Sequence, residues 1–188
     1  MALRRLLLST ALGGLLAGAA SAMTSADKRS DRISFPAEKR EFRAPGWLLQ
    51  IESLDAWQSP AARAQLWQTG TETRLRWSRS LEHSYGPRDA LINAQGQVLL
   101  IDEWINVSSK RALMLIGTEG RIIATHAYVD IVAALRTTPA AVSSKAKRGP
   151  WLAGDAQLSA DGRQVRIAVA GQVLLIDLQD GRLSVAAP

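Results

Sequence analysis

The sequence contains no cysteine. That absence removes disulfides, thiolate metal sites, a cysteine nucleophile and a bacterial lipoprotein anchor together. Histidine is almost absent as well, with only His83 and His126. None of the fourteen glycines opens a Gly-x-x-x-x-Gly-Lys or Gly-x-Gly-x-x-Gly phosphate loop. There is no Gly-x-Ser-x-Gly nucleophile elbow and no His-Glu-x-x-His zinc motif. The net charge of +6 is mild, and it falls to +4 once Arg4 and Arg5 are set aside with the leader described below. The one dense basic run, Lys145-Ala146-Lys147-Arg148, reads as a solvated loop, so nucleic-acid binding is not expected. No apolar run reaches the ~20 residues a membrane-spanning helix needs.

What is present begins with an export signal. Arg4-Arg5 precedes a nearly apolar stretch over residues 6–17, and Ala20-Ser21-Ala22 forms an Ala-x-Ala cleavage site. Residues 1–22 are therefore expected to leave as a signal peptide, with Met23 as the mature start and a periplasmic or secreted destination. The paired arginines leave the twin-arginine route open beside the general secretory one. The remaining chain is long enough for one domain burying about two thirds of its unfolded surface. Without disulfides, that domain depends on its apolar core.

Residues 23–45 are polar, with charges alternating in sign, and read as a mobile lead-in with a short edge strand near residues 33–35. Residues 46–188 read as a single β domain. The first strand is 47–51. A hairpin follows through 64–67 and 73–80, its second arm alternating so that Leu75 and Trp77 face inward. An alternative start of a helix at Ser59-Pro60 is the weaker reading of the first arm. Further hairpins turn at Ala94-Gln95-Gly96, Thr118-Glu119-Gly120, Ala160-Asp161-Gly162 and Gln179-Asp180-Gly181. Each turn closes on a glycine able to take positive φ. Trp47, Trp57, Trp67 and Trp77 recur every ten residues, but intervening turns break any shared face. One helix is expected at residues 131–136, capped by Asp130, followed by a loop over 137–150.

The heptad Gly-Gln-Val-Leu-Leu-Ile-Asp occurs twice, at 96–102 and at 171–177. Four consecutive apolar residues in a short strand imply cover on both faces, as in sheets stacked between other sheets. Five hairpins plus one strand fall short of three four-stranded units and of a closed ring. The expected fold is thus mainly β, made of antiparallel hairpin repeats in a partial-propeller or stacked-sheet domain with one short helix.

Residues 86–104, with Gly86-Pro87, the Ala94-Gln95-Gly96 turn and the strand ending Asp102-Glu103-Trp104, resemble part of a group of uncharacterised secreted bacterial proteins. The second hairpin (113–123), the Asp130-capped helix, Val142-Ser143-Ser144, Trp151 and the Asp161-Gly162 and Asp180-Gly181 turns extend the likeness over about 64–185. The resemblance implies propeller-like hairpin repeats; it carries over no activity and no site residues.

Candidate chemistry is sparse. His83, in Glu82-His83-Ser84-Tyr85, reads as a solvated loop residue, with a general base oriented by Glu82 or Asp89 as the alternative. His126 ends a strand beside Tyr128 and Asp130 and would have to join His83 and a carboxylate to hold zinc. Asp102 and Glu103 are adjacent on a strand and point to opposite faces, which does not suit a glycosidase pair. Asn106-Val107-Ser108 is a glycosylation sequon. Among the six tryptophans, Trp104 and Trp151 sit at loop ends where a ligand is reachable, although core filling is the ordinary use of tryptophan.

The sequence therefore leads to an exported, non-enzymatic domain that recognises an envelope protein or glycan through its loops and Trp-bearing strand ends. No cofactor and no catalytic or metal residue is assigned. Two alternatives stand beside it: an envelope hydrolase using His83, Asp89 and His126, and an assembly subunit using free sheet edges.

Overall fold

The computed structural model describes residues 34–105 and 107–186. The expected signal peptide and cleavage site, the choice of export route and the Asn106 sequon position all lie outside the described residues.

Twelve strands follow in chain order: β1 (Lys39–Ala44), β2 (Trp47–Ser53), β3 (Ala62–Gln68), β4 (Arg74–Leu81), β5 (Pro87–Ile92), β6 (Val98–Glu103), β7 (Leu113–Ile116), β8 (Ile122–His126), β9 (Gln157–Leu158), β10 (Gln164–Val169), β11 (Gln172–Asp177) and β12 (Leu183–Val185). Two short helices, α1 (Tyr128–Ala134) and α2 (Pro139–Ser143), separate β8 from β9. The strands form three four-stranded sheets, β1-β2-β3-β4, β5-β6-β7-β8 and β9-β10-β11-β12, each an antiparallel meander. Sequential pairing follows from the short glycine turns, which leave no length for a crossover.

The middle sheet is covered on both faces. Val98, Leu100, Met114 and Ile116 share one apolar cluster with Leu49, Ile51, Leu66 and Trp77 of the first sheet. Leu99, Ile101, Leu113 and Leu115 share the other with Val165, Ile167, Leu174 and Ile176 of the third sheet and with α1. All eight middle-sheet residues are at most 2% exposed. Each buried aliphatic side chain is worth about 1.5–3 kcal/mol. This sheet is therefore the structural centre of the domain.

The second copy of the heptad is used differently. In β11, Leu174 and Ile176 are buried, while Val173 and Leu175 are only half-buried. The expectation of cover on both faces holds for β6 and fails for β11, because the third sheet has a neighbour on one side only.

Other local differences have equally plain causes. The count of fewer than three four-stranded units omitted β1, which lies inside the supposed lead-in and pairs with β2 from Lys39↔Glu52 to Ala44↔Trp47. Its alternating burial is too shallow to stand out as a strand pattern. The edge strand is thus at Lys39–Ala44, and residues 34–36 carry no strand. Leu75 is 40% exposed rather than inward. A register shift at Leu66/Trp67 sets Trp67 opposite Leu75 and Leu66 opposite Trp77, so only Trp77 reaches the core. Helix α1 begins at Tyr128, three residues before expected. Asp130 is not its cap but sits in the first turn, accepting the Ala127 N–H at 2.8 Å. Part of the expected 137–150 loop is α2, whose cap Thr138 accepts the Ala141 N–H at 3.2 Å ahead of Pro139.

Candidate binding site: an aromatic cradle at the end of β6

Three connections converge where β6 ends. The β2–β3 connection carries Trp57, the β4–β5 connection carries Tyr85, and Trp104 directly follows β6. Ser53 starts the first connection, its hydroxyl accepting the N–H of Trp57 at 2.7 Å and of Asp55 at 3.3 Å. That local bonding bends the chain and leaves Ala56 at φ 55° and Trp57 at φ 61°. In the second connection Tyr85 is at φ 61° and Gly86 at φ 75°. Left-handed geometry costs a bulky residue about 1–3 kcal/mol. Among the described residues, three of the six non-glycine residues with positive φ, Ala56, Trp57 and Tyr85, lie in these two connections, and a fourth, Asp102, lies two residues before Trp104. Strain of this kind gathers at binding and catalytic sites more than elsewhere.

The segment Ser34-Phe35-Pro36 lies across the three aromatic residues. The Trp104 indole N–H donates to the Ser34 carbonyl at 2.8 Å, and the Trp57 indole N–H donates to the Pro36 carbonyl at 2.9 Å. Between them, the Phe35 ring meets Tyr85 at 5.3 Å between centroids, and Tyr85 meets Trp57 at 5.7 Å. Pro36 is buried, whereas Phe35 is 59% exposed. Arg40 of β1 closes one side, its guanidinium 4.8 Å from the Trp104 ring centroid. The same guanidinium donates to the carbonyls of Pro87 at 2.6 Å and Tyr85 at 3.2 Å. Burial lowers the Arg40 pKa to about 10, with the Asp89 charge opposing the shift, so the group stays cationic at neutral pH. Gly86 is required here twice over. Its φ is left-handed, and a Cβ would fall 2.7 Å from Arg40 Nη2 and 2.9 Å from Ile51 Cγ2.

A buried polar network holds the cradle from behind. Glu103 accepts from the Ser84 N–H at 3.1 Å and the Ser109 hydroxyl at 2.9 Å, fixing the Tyr85 connection to β6. Arg111 reaches Glu103 at 3.6 Å and bonds Glu82 at 2.8 Å. Arg88 donates to the Trp104 carbonyl at 3.0 Å. Asp102 is fully buried at φ 56°. Its Oδ1 accepts the Glu103 N–H at 3.1 Å, while Oδ2 has no hydrogen-bond partner and lies 3.7 Å from Arg88 Nε. Burial raises the Asp102 pKa to about 6, against the pull of the Glu103 N–H, the Arg88 charge and the neighbouring Trp151 indole. The left-handed backbone at Asp102 also breaks the regular alternation assumed for Asp102 and Glu103, and both side chains are buried.

His83 corrects another expectation. It is 1% exposed rather than solvated, and neither ring nitrogen has a hydrogen-bond partner. Burial, followed by the Arg111 charge, lowers its pKa to about 4. The loop folds inward because the Ser84–Glu103 and Tyr85–Pro60 backbone contacts draw it onto the sheets. His126 lies elsewhere, bonded through Nε2 to the Gly181 carbonyl at 2.7 Å. Asp89 accepts its neighbour's Ala90 N–H at 2.8 Å and sits 4.0 Å from Arg148. His83, Asp89 and His126 are therefore not assembled into one site. Among the described residues, no three His, Asp or Glu side chains converge as metal ligands. Trp151, expected at a reachable loop end, is fully buried in the apolar cluster shared by the middle sheet, α1 and the third sheet.

No protein-family model and no curated protein matches this sequence.

A groove of about 890 Å³ lies among the turns at the other end of β6. It is lined by Asn93, Gln95, Gln97, Asp161, Arg163 and Gln179, among others, and no aromatic residue lines it. Two of these amides tie the middle sheet to the third. Asn93 donates to the Gly162 carbonyl at 3.2 Å, and Gln97 donates to the Leu178 carbonyl at 2.7 Å.

Sequence reasoning reached Trp104 but missed Trp57, Tyr85 and the Ser34–Pro36 segment. The ten-residue tryptophan spacing has no shared face, and nothing in it marks Trp57 as a turn residue. The usable signal was Ser53 with Asp55 just before Trp57, a turn-forming pair that sets an aromatic residue outside any strand.

Proposed function

We propose that the chain is an exported, non-enzymatic binding domain that recognises an extended polypeptide segment of a cell-envelope partner through the Trp57–Tyr85–Trp104 cradle. The observation that carries this reading is the pair of indole N–H donors set on carbonyls two residues apart in an extended segment. Aromatic-lined grooves read proline-containing peptides in this manner, taking backbone carbonyls and proline rings together. Strained, internally braced connections supply the rigidity such a site needs. The propeller-like arrangement suggested by three successive meander sheets fits a scaffold that presents loops at its ends. The test is an oriented library of extended peptides applied to the mature protein, with Trp104→Phe as the matched variant. Binding that weakens at least about fivefold in the variant supports the reading, since one hydrogen bond is worth about 1 kcal/mol. A library that yields no binder, with or without the Ser34–Pro36 segment in place, refutes it.

A second reading is favoured by one observation, the polar groove of about 890 Å³ with its side-chain amides. Amide and carboxylate groups suit a glycan's hydroxyls. Saccharide titration that is abolished by Gln95→Ala and unaffected by Trp104→Phe would favour the groove over the cradle. The hydrolase reading draws no support from the positions of His83, Asp89 and His126.

A further inference from the structure

The cradle is occupied by the chain itself. Ser34-Phe35-Pro36 presents two carbonyls to two indole N–H groups, an aromatic ring to Tyr85, and a proline that is buried while its neighbour Phe35 stays largely exposed. The segment precedes β1 and belongs to none of the three sheets. Its only hydrogen bonds to the domain among the described residues are those two indole contacts. Leaving the cradle would therefore break no strand pairing. The cost of the left-handed backbone at Trp57 and Tyr85 is met inside the domain, by the Ser53 hydroxyl and by the Tyr85 N–H to the Pro60 carbonyl at 2.9 Å. Neither brace involves Ser34–Pro36.

We infer that Ser34–Pro36 is a built-in competitor, and that the ligand of the cradle is an extended segment of another polypeptide bearing an aromatic–proline pair. This rests on the peptide-recognition reading above. The foreign segment would take the Ser34 and Pro36 carbonyl positions on the two indoles, lay its aromatic ring on Tyr85 and set its proline where Pro36 sits. Apparent affinity is then reduced by the fraction of time the internal segment is seated.

The experiment uses the mature protein and the double variant Phe35→Ala/Pro36→Ala, which weakens the internal segment without touching the sheets. The probe is the synthetic peptide Arg-Ile-Ser-Phe-Pro-Ala-Glu-Lys, the sequence of residues 32–39. Binding is followed by the fluorescence anisotropy of the labelled peptide and, in the double variant, by the indole N–H resonances. The expected result is about tenfold tighter binding to the double variant, the factor that applies when the internal segment leaves about a tenth of molecules open. The indole signals of Trp57 and Trp104 should be the ones that move. A probe in which Ala replaces both Phe and Pro should bind at least about tenfold more weakly. Equal affinity of wild type and double variant overturns the built-in competitor while leaving peptide recognition standing. No binding to either protein removes peptide recognition as well. If the double substitution changes only the dimer content by light scattering, the segment serves a second copy of the chain and the inference is overturned.

Discussion

Replacing Asp102 by Asn should stabilise the protein at neutral pH. Asp102 is fully buried, and its carboxyl titrates near 6 instead of its ordinary 3.8 because burial disfavours the charge. A carboxyl whose pKa is higher in the folded state binds its proton more tightly there. The folded state is thus penalised above pH 6, and the penalty fades as pH falls from about 6 to about 4. At 1.36 kcal/mol per pKa unit, the penalty at pH 7 is about 3 kcal/mol. Asparagine removes the charge, keeps an oxygen to accept the Glu103 N–H, and tolerates the left-handed backbone at φ 56° better than most residues. Asp102→Asn should therefore gain about 2–3 kcal/mol at pH 7, roughly 4–12 °C in Tm for a domain of this size, and should match wild type near pH 4. His83 works in the opposite direction. Its ring titrates near 4 rather than 6.5, so the unfolded state takes up the proton first and stability is lost as pH falls from 6.5 toward 4. In wild type the two slopes oppose one another and the profile between pH 4 and 6.5 should be nearly flat. Urea unfolding of wild type, Asp102→Asn and His83→Leu across pH 4–8 reads this directly. Asp102→Asn should lose stability on acidification, and His83→Leu should gain it. An Asp102→Asn protein less stable than wild type at pH 7 would refute the reasoning and show that the carboxylate is held as a favourable partner of Arg88.

Gly86→Ala should cost at least about 2 kcal/mol, since it adds a Cβ 2.7 Å from Arg40 Nη2 at a left-handed φ; thermal unfolding checks this. Leu100→Ala, on the face of β6 toward the first sheet, should cost about 2–5 kcal/mol. Leu175→Ala on the half-buried face of β11 should cost under about half of that, although it occupies the same heptad position; paired denaturation curves compare them. Trp104→Phe removes the indole donor while keeping a ring under Arg40. It should cost under about 1.5 kcal/mol in stability, seen as a small fall in the urea midpoint.

Much of the fold was legible because β turns announce themselves. The glycines at 96, 120, 162 and 181 mark four hairpins, and all four take positive φ. Val98–Ile101 announced a sheet buried on both sides, and that sheet is the centre of the domain. The same letters at 173–176 misled, because a heptad records what a strand tolerates and not which neighbours it has. β1 stayed hidden since Lys39, Glu41 and Arg43 line its exposed side and only Arg40, Phe42 and Ala44 its half-buried one. The site was far less legible. Trp57, Tyr85 and Trp104 lie in three separate connections, and nothing in their spacing reports that three turns meet. Burial of His83 was equally invisible, because a polar loop is drawn inward by contacts of Ser84 and Tyr85 with residues remote in sequence.

The central claim is that Trp57 and Trp104 present their indole N–H groups to an exchangeable peptide segment. Proton–nitrogen spectra of the protein from Met23 onward should contain six indole signals, one per tryptophan. Titration of the Phe35→Ala/Pro36→Ala variant with the 32–39 peptide should shift those of Trp57 and Trp104, assigned by Trp57→Phe and Trp104→Phe, and leave the buried Trp151 signal in place. Shifts spread evenly over all six, or an unmoved Trp57–Trp104 pair at millimolar peptide, would contradict it.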